Sequence, residues 1–166
     1  MKIAILSDIH DNIWTLARLL DGLEAEALIF CGDFCAPFTL DQIAGEFEGP
    51  IHAVLGNNDG DQLLLSRVAN KHPHVTLHGQ FAELELDGRR VAVTHYPEMG
   101  RAIAQGGAYN LVCHGHSHER VVERTGQTVR VNPGEVMGRK GPASYAVYDT
   151  ESGEAEIVEV VGKGEG

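Results

Sequence analysis

The chain has 166 residues, 43% of them hydrophobic, and a formal net charge of −11. That length suits one globular domain with a sizeable core, and an acidic balance without any cluster of Lys and Arg opposes duplex nucleic acid or an anionic membrane surface as a partner. Cys31, Cys35 and Cys113 are odd in number and read as buried free thiols in a reducing compartment, while Asp8 breaks the opening MKIAILSDIH too early for a signal peptide or a membrane span, so the expected location is cytoplasmic.

In chain order, Lys2 to Leu6 reads as a buried strand, and NIWTLARLLDGL has apolar residues at Ile13, Leu16, Ala17, Leu20 and Leu23, the helical period, with Asn12 placed to cap it. ALIF predicts a second strand, TLDQIAGEF a short helix opened by Thr39, IHAVL a third strand and GDQLLLSRVANK a further helix. Alternating β and α units predict parallel strands. Past Val75 the pattern changes to FAELELDGRRVAVTH, two alternating runs joined at Asp87-Gly88, a hairpin signal. YNLVCHG, RVVERTGQTVRVN, SYAVYD and EAEIVEVV continue as strands with turns at Gly126 and Gly153. The expected organisation is a single domain over 1–161 and a disordered tail over 162–166.

Each early strand runs into a metal-type donor: Asp8 and His10 in SDIHDN, Asp33 in CGDF, Asn57 in GNND. Ends of neighbouring parallel strands lie side by side, where open α/β sheets place ligands. His95 closes VAVTH. His116 and His118 follow the next strand in CHGHSHE, at alternate positions that point the same way on an extended segment. Asp8, His10, Asp33, Asn57, His95, His116 and His118 are thus expected to converge on one edge. A mixed N/O set without thiolate suits Mn²⁺, with Ni²⁺, Fe²⁺, Zn²⁺ or Mg²⁺ as alternatives, better than Ca²⁺.

The series DxH, GD, GNxD, a lone His after a strand and GHxH, over Lys2 to Gly134 with NPG at Asn132 to Gly134, resembles the calcineurin-like metallophosphoesterases, in particular their small bacterial and archaeal phosphodiesterases. The resemblance implies an α/β fold, a four-layer α/β/β/α sandwich of two mixed β-sheets flanked by helices. It also implies one divalent ion on Asp8, His10 and His118, a second on Asn57, His95 and His116, and Asp33 bridging both. The implied activity is hydrolysis of small phosphodiesters by a hydroxide bridging the two ions, with a phosphomonoesterase, or a non-catalytic protein-binding scaffold like the small retromer subunit, as alternatives. A homo-oligomer stays open.

Two positions carry further expectations. Many members have His where this chain has Asn58, a place associated with protonating the leaving group or holding the phosphate. His114, outside the ligand positions, either packs and orients a ligand or touches substrate directly. Cys31 and Cys35 read as packing residues, and His52, His72, His74 and His78 as ordinary surface or core residues. Tyr96-Pro97 replaces the Gly that commonly follows the lone ligand His, which affects the shape of the substrate rim.

Overall fold

The structure, a computed structural model, describes residues 1–161; the tail expected over 162–166 lies outside the described residues. In chain order the elements are β1 (Lys2–Leu6), α1 (Ile13–Leu20), β2 (Ala27–Phe30), α2 (Pro37–Glu46), β3 (Ile51–Ala53), α3 (Gln62–Ala69), β4 (Val75–Leu77), β5 (Phe81–Leu86), β6 (Arg89–Thr94), α4 (Pro97–Gln105), β7 (Leu111–Cys113), β8 (Arg120–Thr125), β9 (Thr128–Pro133), β10 (Ser144–Asp149) and β11 (Glu154–Glu159). They build a six-stranded sheet, β11-β10-β1-β2-β3-β4, and a five-stranded sheet, β5-β6-β7-β9-β8. Both are mixed: β1 pairs with β2 in parallel and with β10 antiparallel, while β7 pairs in parallel with β6 and β9, and β5 and β8 pair antiparallel at the edges.

Three apolar layers hold four structural layers together. Ala4, Leu6, Leu28, Phe30 and Ile51 face Leu16, Leu19, Leu40, Ile43 and Leu65 of α1, α2 and α3. The alternate side chains Ile3, Ile5, Ala27 and Ile29 face Val91, Val93, Leu111 and Val131 of the second sheet. Ala92 and Val112, on that sheet's far side, meet Ala104 of α4. A strand covered on both faces carries no alternation, which is why KIAIL and ALIF read as continuous apolar runs. Each large aliphatic side chain so buried contributes about 1.5–3 kcal/mol. The expected four-layer sandwich is therefore present.

Local departures have local causes. Helix α2 starts at Pro37, with Ala36 as its N-cap, two residues before the predicted start at Thr39. Proline fits the first helical position because its fixed φ suits the helix and its missing N–H has no intrahelical partner there, and the Thr39 hydroxyl instead donates to Asp11 Oδ1 at 2.7 Å. Strand β4 and helix α4 were not foreseen. β4 has three residues and gains order by pairing with β3; α4 opens with Pro97 and carries Gly100, a poor helix former, in its interior. The third strand stops at Ala53, short of the predicted IHAVL. The predicted hairpin turn is present, with Asp87 and Gly88 both left-handed, φ +48° and +73°, the pattern that matches strand twist.

Asn12 caps α1 by accepting from Thr15 N at 3.2 Å and donates from Nδ2 to Met137 O at 2.8 Å, tying the helix to the far side of the site. Asn12→Ala removes both bonds and should destabilise the fold by about 1–2 kcal/mol; a urea midpoint unchanged from wild type would contradict this.

Candidate metal centre

The seven predicted donors gather where the C-terminal ends of β1, β2, β3, β6 and β7 meet. The turns that carry them are zipped by backbone bonds: Asp8 N donates to Gly32 O at 3.1 Å, His10 N to Asp33 O at 3.2 Å, and Gly115 N to His95 O at 3.0 Å. The two sheets join at Asp8, whose Oδ2 accepts from His116 N at 3.0 Å and from the Ser7 hydroxyl at 2.5 Å. Gly115 permits that approach, because a Cβ there would lie 1.9 Å from Ser7 Oγ and 2.7 Å from Asp8 Oδ2. The backbone is left-handed at Asp8 (φ +54°), His10 (+45°), Asp33 (+64°), His116 (+69°) and His118 (+62°). Such residues cost about 1–3 kcal/mol each and concentrate at functional sites.

The donor atoms form two groups that share Asp33. In the first, Asp8 Oδ1 lies 3.2 Å from His118 Nε2 and 3.6 Å from His10 Nε2, and His10 Nε2 is 3.5 Å from Asp33 Oδ2. In the second, His95 Nε2 lies 3.5 Å from the same Asp33 oxygen and 3.0 Å from Asn57 Oδ1, while His116 Nδ1 is 2.8 Å from Asn57 Oδ1 and 3.2 Å from His95 Nε2. Donors held about 2.1 Å from one cation stand about 3.0 Å apart in octahedral and about 3.4 Å in tetrahedral geometry, the spacing seen here. Asp8 Oδ1 and His10 Nε2 are buried without a hydrogen-bond partner. Divalent cations fit this set, because they would satisfy both orphaned atoms at once.

Supporting residues fix the donors, and one of them, Glu135, had no sequence signal of its own. His95 Nδ1 donates to Cys31 O at 2.7 Å and His118 Nδ1 to Glu135 Oε2 at 2.5 Å, leaving each Nε2 lone pair turned to the centre. His10 Nδ1 is 3.5 Å from Cys35 Sγ, so Cys35 stands half-buried beside a donor rather than in the core; Cys31 and Cys113 are buried. Buried Asp59 accepts from the backbone N–H groups of Asp33, Cys35 and Gly56, at 3.0, 3.0 and 2.7 Å, and so shapes two donor turns. Asn132 of the NPG turn donates to Gly115 O at 3.1 Å. Asn58 donates through its backbone N to Asp33 Oδ1 and through Nδ2 to Asp33 Oδ2, each at 2.8 Å. Tyr96 packs its ring against His95 and His116 and caps α4, so it forms part of the rim.

Charge follows this packing. Burial pushes the Asp8 carboxyl up, but its His10 and Ser7 neighbours and the nearby imidazoles of His95 and His118 more than offset that, leaving it below its ordinary value. The Asp8 carboxylate in turn raises His10, against desolvation. Burial, reinforced by the carboxylates of Asp11, Asp33, Asp59 and Asp8, pushes the Cys35 thiol up to about 12, so it is a neutral S–H. His114 is 1% exposed, under Gly100 of α4, with Arg130 Nη1 donating to its Nε2 at 2.7 Å. Burial, helped by the Arg130 charge, holds its pKa down to about 4.

A sandwich with a carboxylate shared between two His-rich donor groups defines a class of metal-dependent hydrolases. Residues 1–153 match the calcineurin-like phosphoesterase superfamily domain, and the chain belongs to that family and is a phosphoric ester hydrolase. Phosphodiesterase MJ0936 of Methanocaldococcus jannaschii is 32% identical over 165 residues, covering 95% of this chain and 99% of the relative. The solved structure of an archaeal phosphodiesterase superposes with a TM-score of 0.87 at 29% identity, covering 96% of this chain and 99% of that one. Vacuolar protein sorting 29 from Cryptosporidium parvum shares the fold, with a TM-score of 0.69 at 13% identity and 95% of each chain covered. No helix among the described residues is long and apolar enough to cross a membrane.

His114 supplies a pH test. Its folded pKa, about 4, lies below an unfolded value of about 6.5, so the unfolded chain binds the extra proton first; stability is full above 6.5, falls with pH, and levels off near 4. His114→Gln keeps an acceptor for Arg130 but does not titrate. Between pH 7 and pH 5 the wild type should lose about 2 kcal/mol relative to the variant in urea unfolding of chelator-treated protein; parallel pH curves would refute the assignment.

Proposed function

We propose that the chain is a binuclear metal-dependent phosphodiesterase acting on small phosphodiesters, built as one domain over 1–161. The observation that supports this most directly is the buried, partnerless pair Asp8 Oδ1 and His10 Nε2 beside the Asp33 oxygen that both donor groups approach. The name of the 32% identical relative, a phosphodiesterase, points the same way.

In this reading Asp8, His10 and His118 would hold one ion and Asn57, His95 and His116 the other, with Asp33 available to both. Two divalent ions, Mn²⁺ first among them, supply when bound a clamp for the phosphate ester and an activated water as nucleophile. The chain's own residues do the rest. Neutral Asn57 and the imidazoles limit the negative charge facing an anionic substrate, and Asn58 holds both oxygens of Asp33 in orientation. Asn58 has no titratable proton to give a leaving group. His114, buried and accepting from Arg130 Nη1, in this reading packs behind the ligand turn rather than touching substrate.

A protein-binding role for the same face has one observation in its favour: Trp14, Phe38 and Leu63, in the first turns of α1, α2 and α3, are 72%, 56% and 65% exposed. Metal content and a diester panel separate the two readings, since a scaffold would show no turnover.

Purified protein with Mn²⁺ or Ni²⁺ should hydrolyse bis(p-nitrophenyl) phosphate, chelation should abolish this, and Asp33→Ala should lose both metal and turnover. An Asp33→Ala variant as active as wild type would refute the binuclear reading. With no positioned acid, worth about 10²- to 10⁴-fold where present, rates should fall steeply from nitrophenyl to simple alkyl diesters. A flat response to leaving-group pKa, measured where chemistry limits the rate, would show that a proton donor is present after all.

A further inference from the structure

Glu135 follows the NPG turn, is 2% exposed, and spends both carboxylate oxygens on specific partners. Oε2 accepts from His118 Nδ1 at 2.5 Å, and Oε1 accepts from the backbone N–H of Lys140. The turn on either side of it is anchored in its own right: Gly134 N donates to Asn132 Oδ1 at 3.1 Å before it, and Val136 N to Ser7 O at 3.1 Å and Met137 N to Asp8 O at 3.0 Å after it. The carboxylate is therefore fixed in place by bonds independent of His118. Its other oxygen is committed to an N–H that can only donate.

From this geometry we propose that Glu135 is a positioning residue that sets the tautomer of His118, keeping the proton on Nδ1 and the lone pair on Nε2 for the ion on Asp8, His10 and His118. The inference rests on the proposed ligand role of His118. An acceptor behind a ligating imidazole fixes ring orientation and raises its basicity, and losing it typically costs 10- to 100-fold in metal affinity. The commitment of Oε1 sharpens the expectation. In Glu135→Gln the amide oxygen must stay on the Lys140 N–H, which turns the amide NH₂ toward His118 Nδ1. That nitrogen must then accept, and the proton moves to Nε2, where it blocks the lone pair. In Glu135→Ala a water can take the Nδ1 proton, so no wrong tautomer is imposed. The near-isosteric Gln should therefore be the more damaging substitution, the reverse of what loss of packing would give.

The experiment uses chelator-treated full-length wild type, Glu135→Gln and Glu135→Ala at pH 8, with folding checked by circular dichroism. Two readouts are taken: the protonation state of His118 Nδ1 from imidazole ¹⁵N spectra, with the resonance identified by its loss in His118→Ala, and Mn²⁺ affinity by calorimetry. The expected result is Nδ1–H in wild type, a bare Nδ1 in Glu135→Gln, and Mn²⁺ binding at one site weakened about 10- to 100-fold in Gln with Ala in between. An unchanged tautomer and affinity in Gln, Ala binding more weakly than Gln, or a bare Nδ1 in wild type would each overturn the inference and leave the proposed function standing. Wild type that binds no Mn²⁺ would overturn the proposed function instead, and the tautomers alone would then decide whether Glu135 sets His118. Should Glu135→Gln not fold, the wild-type tautomer and the Ala affinity still decide.

Discussion

Burying the Asp8 carboxylate at the end of β1 is unfavourable unless both oxygens find partners, and the protein's own hydrogen bonds satisfy one of them. Oδ2 is held by the Ser7 hydroxyl and the His116 N–H, and Oδ1 is left facing His10 and His118. The rest of the site follows from that arrangement. Taking the N–H of His116 draws the end of β7 across to the end of β1, and the left-handed turn at Asp8 sends the chain directly to His10. The buried remainder of charge is what gives a cation a place to be.

The sandwich makes this geometry affordable by spreading its support over many elements. Ser7 and Asp8 come from one sheet, His95 and the HGHSH turn from the other, and the layer of Ile3, Ile5, Val91, Val93, Leu111 and Val131 sets the distance between the sheets. Asp59 and Asn132 lash the turns from behind, each with two or more hydrogen bonds to backbone or side chains. Local bonds of this kind let several consecutive turns stay left-handed, which no isolated turn of Asp and His would tolerate.

Much of this was legible in the chain. Donors recur just after apolar runs, and apolar runs of that kind are strands, so the convergence of Asp8, Asp33 and Asn57 followed from period and order alone. His95, His116 and His118 were legible for the same reason. The hairpin at Asp87-Gly88 declared itself because few residues other than Asn, Asp and Gly accept positive φ there. What the sequence hid was set by tertiary contact. Three-residue β4 exists because β3 needs a neighbour, and α4 because the far side of the second sheet needs cover. Glu135 carried no reading and Asp59 stood only as the last letter of GNxD, since nothing in a linear pattern marks which backbone N–H or imidazole a buried carboxylate will meet. Thr39 misled for the opposite reason: a good capping residue was already engaged by Asp11.

The three imidazoles that turn Nε2 inward are backed by three different atoms: a peptide carbonyl behind His95, a carboxylate behind His118 and a thiol sulfur behind His10. These differ as electron donors. A carboxylate pushes charge through the ring far more than an amide carbonyl does, and a thiol sulfur hardly at all. The imidazoles are therefore electronically unlike, and the donor group containing His118 and Asp8 is the more electron-rich. In the proposed two-ion reading, that side would favour the ion of greater Lewis acidity.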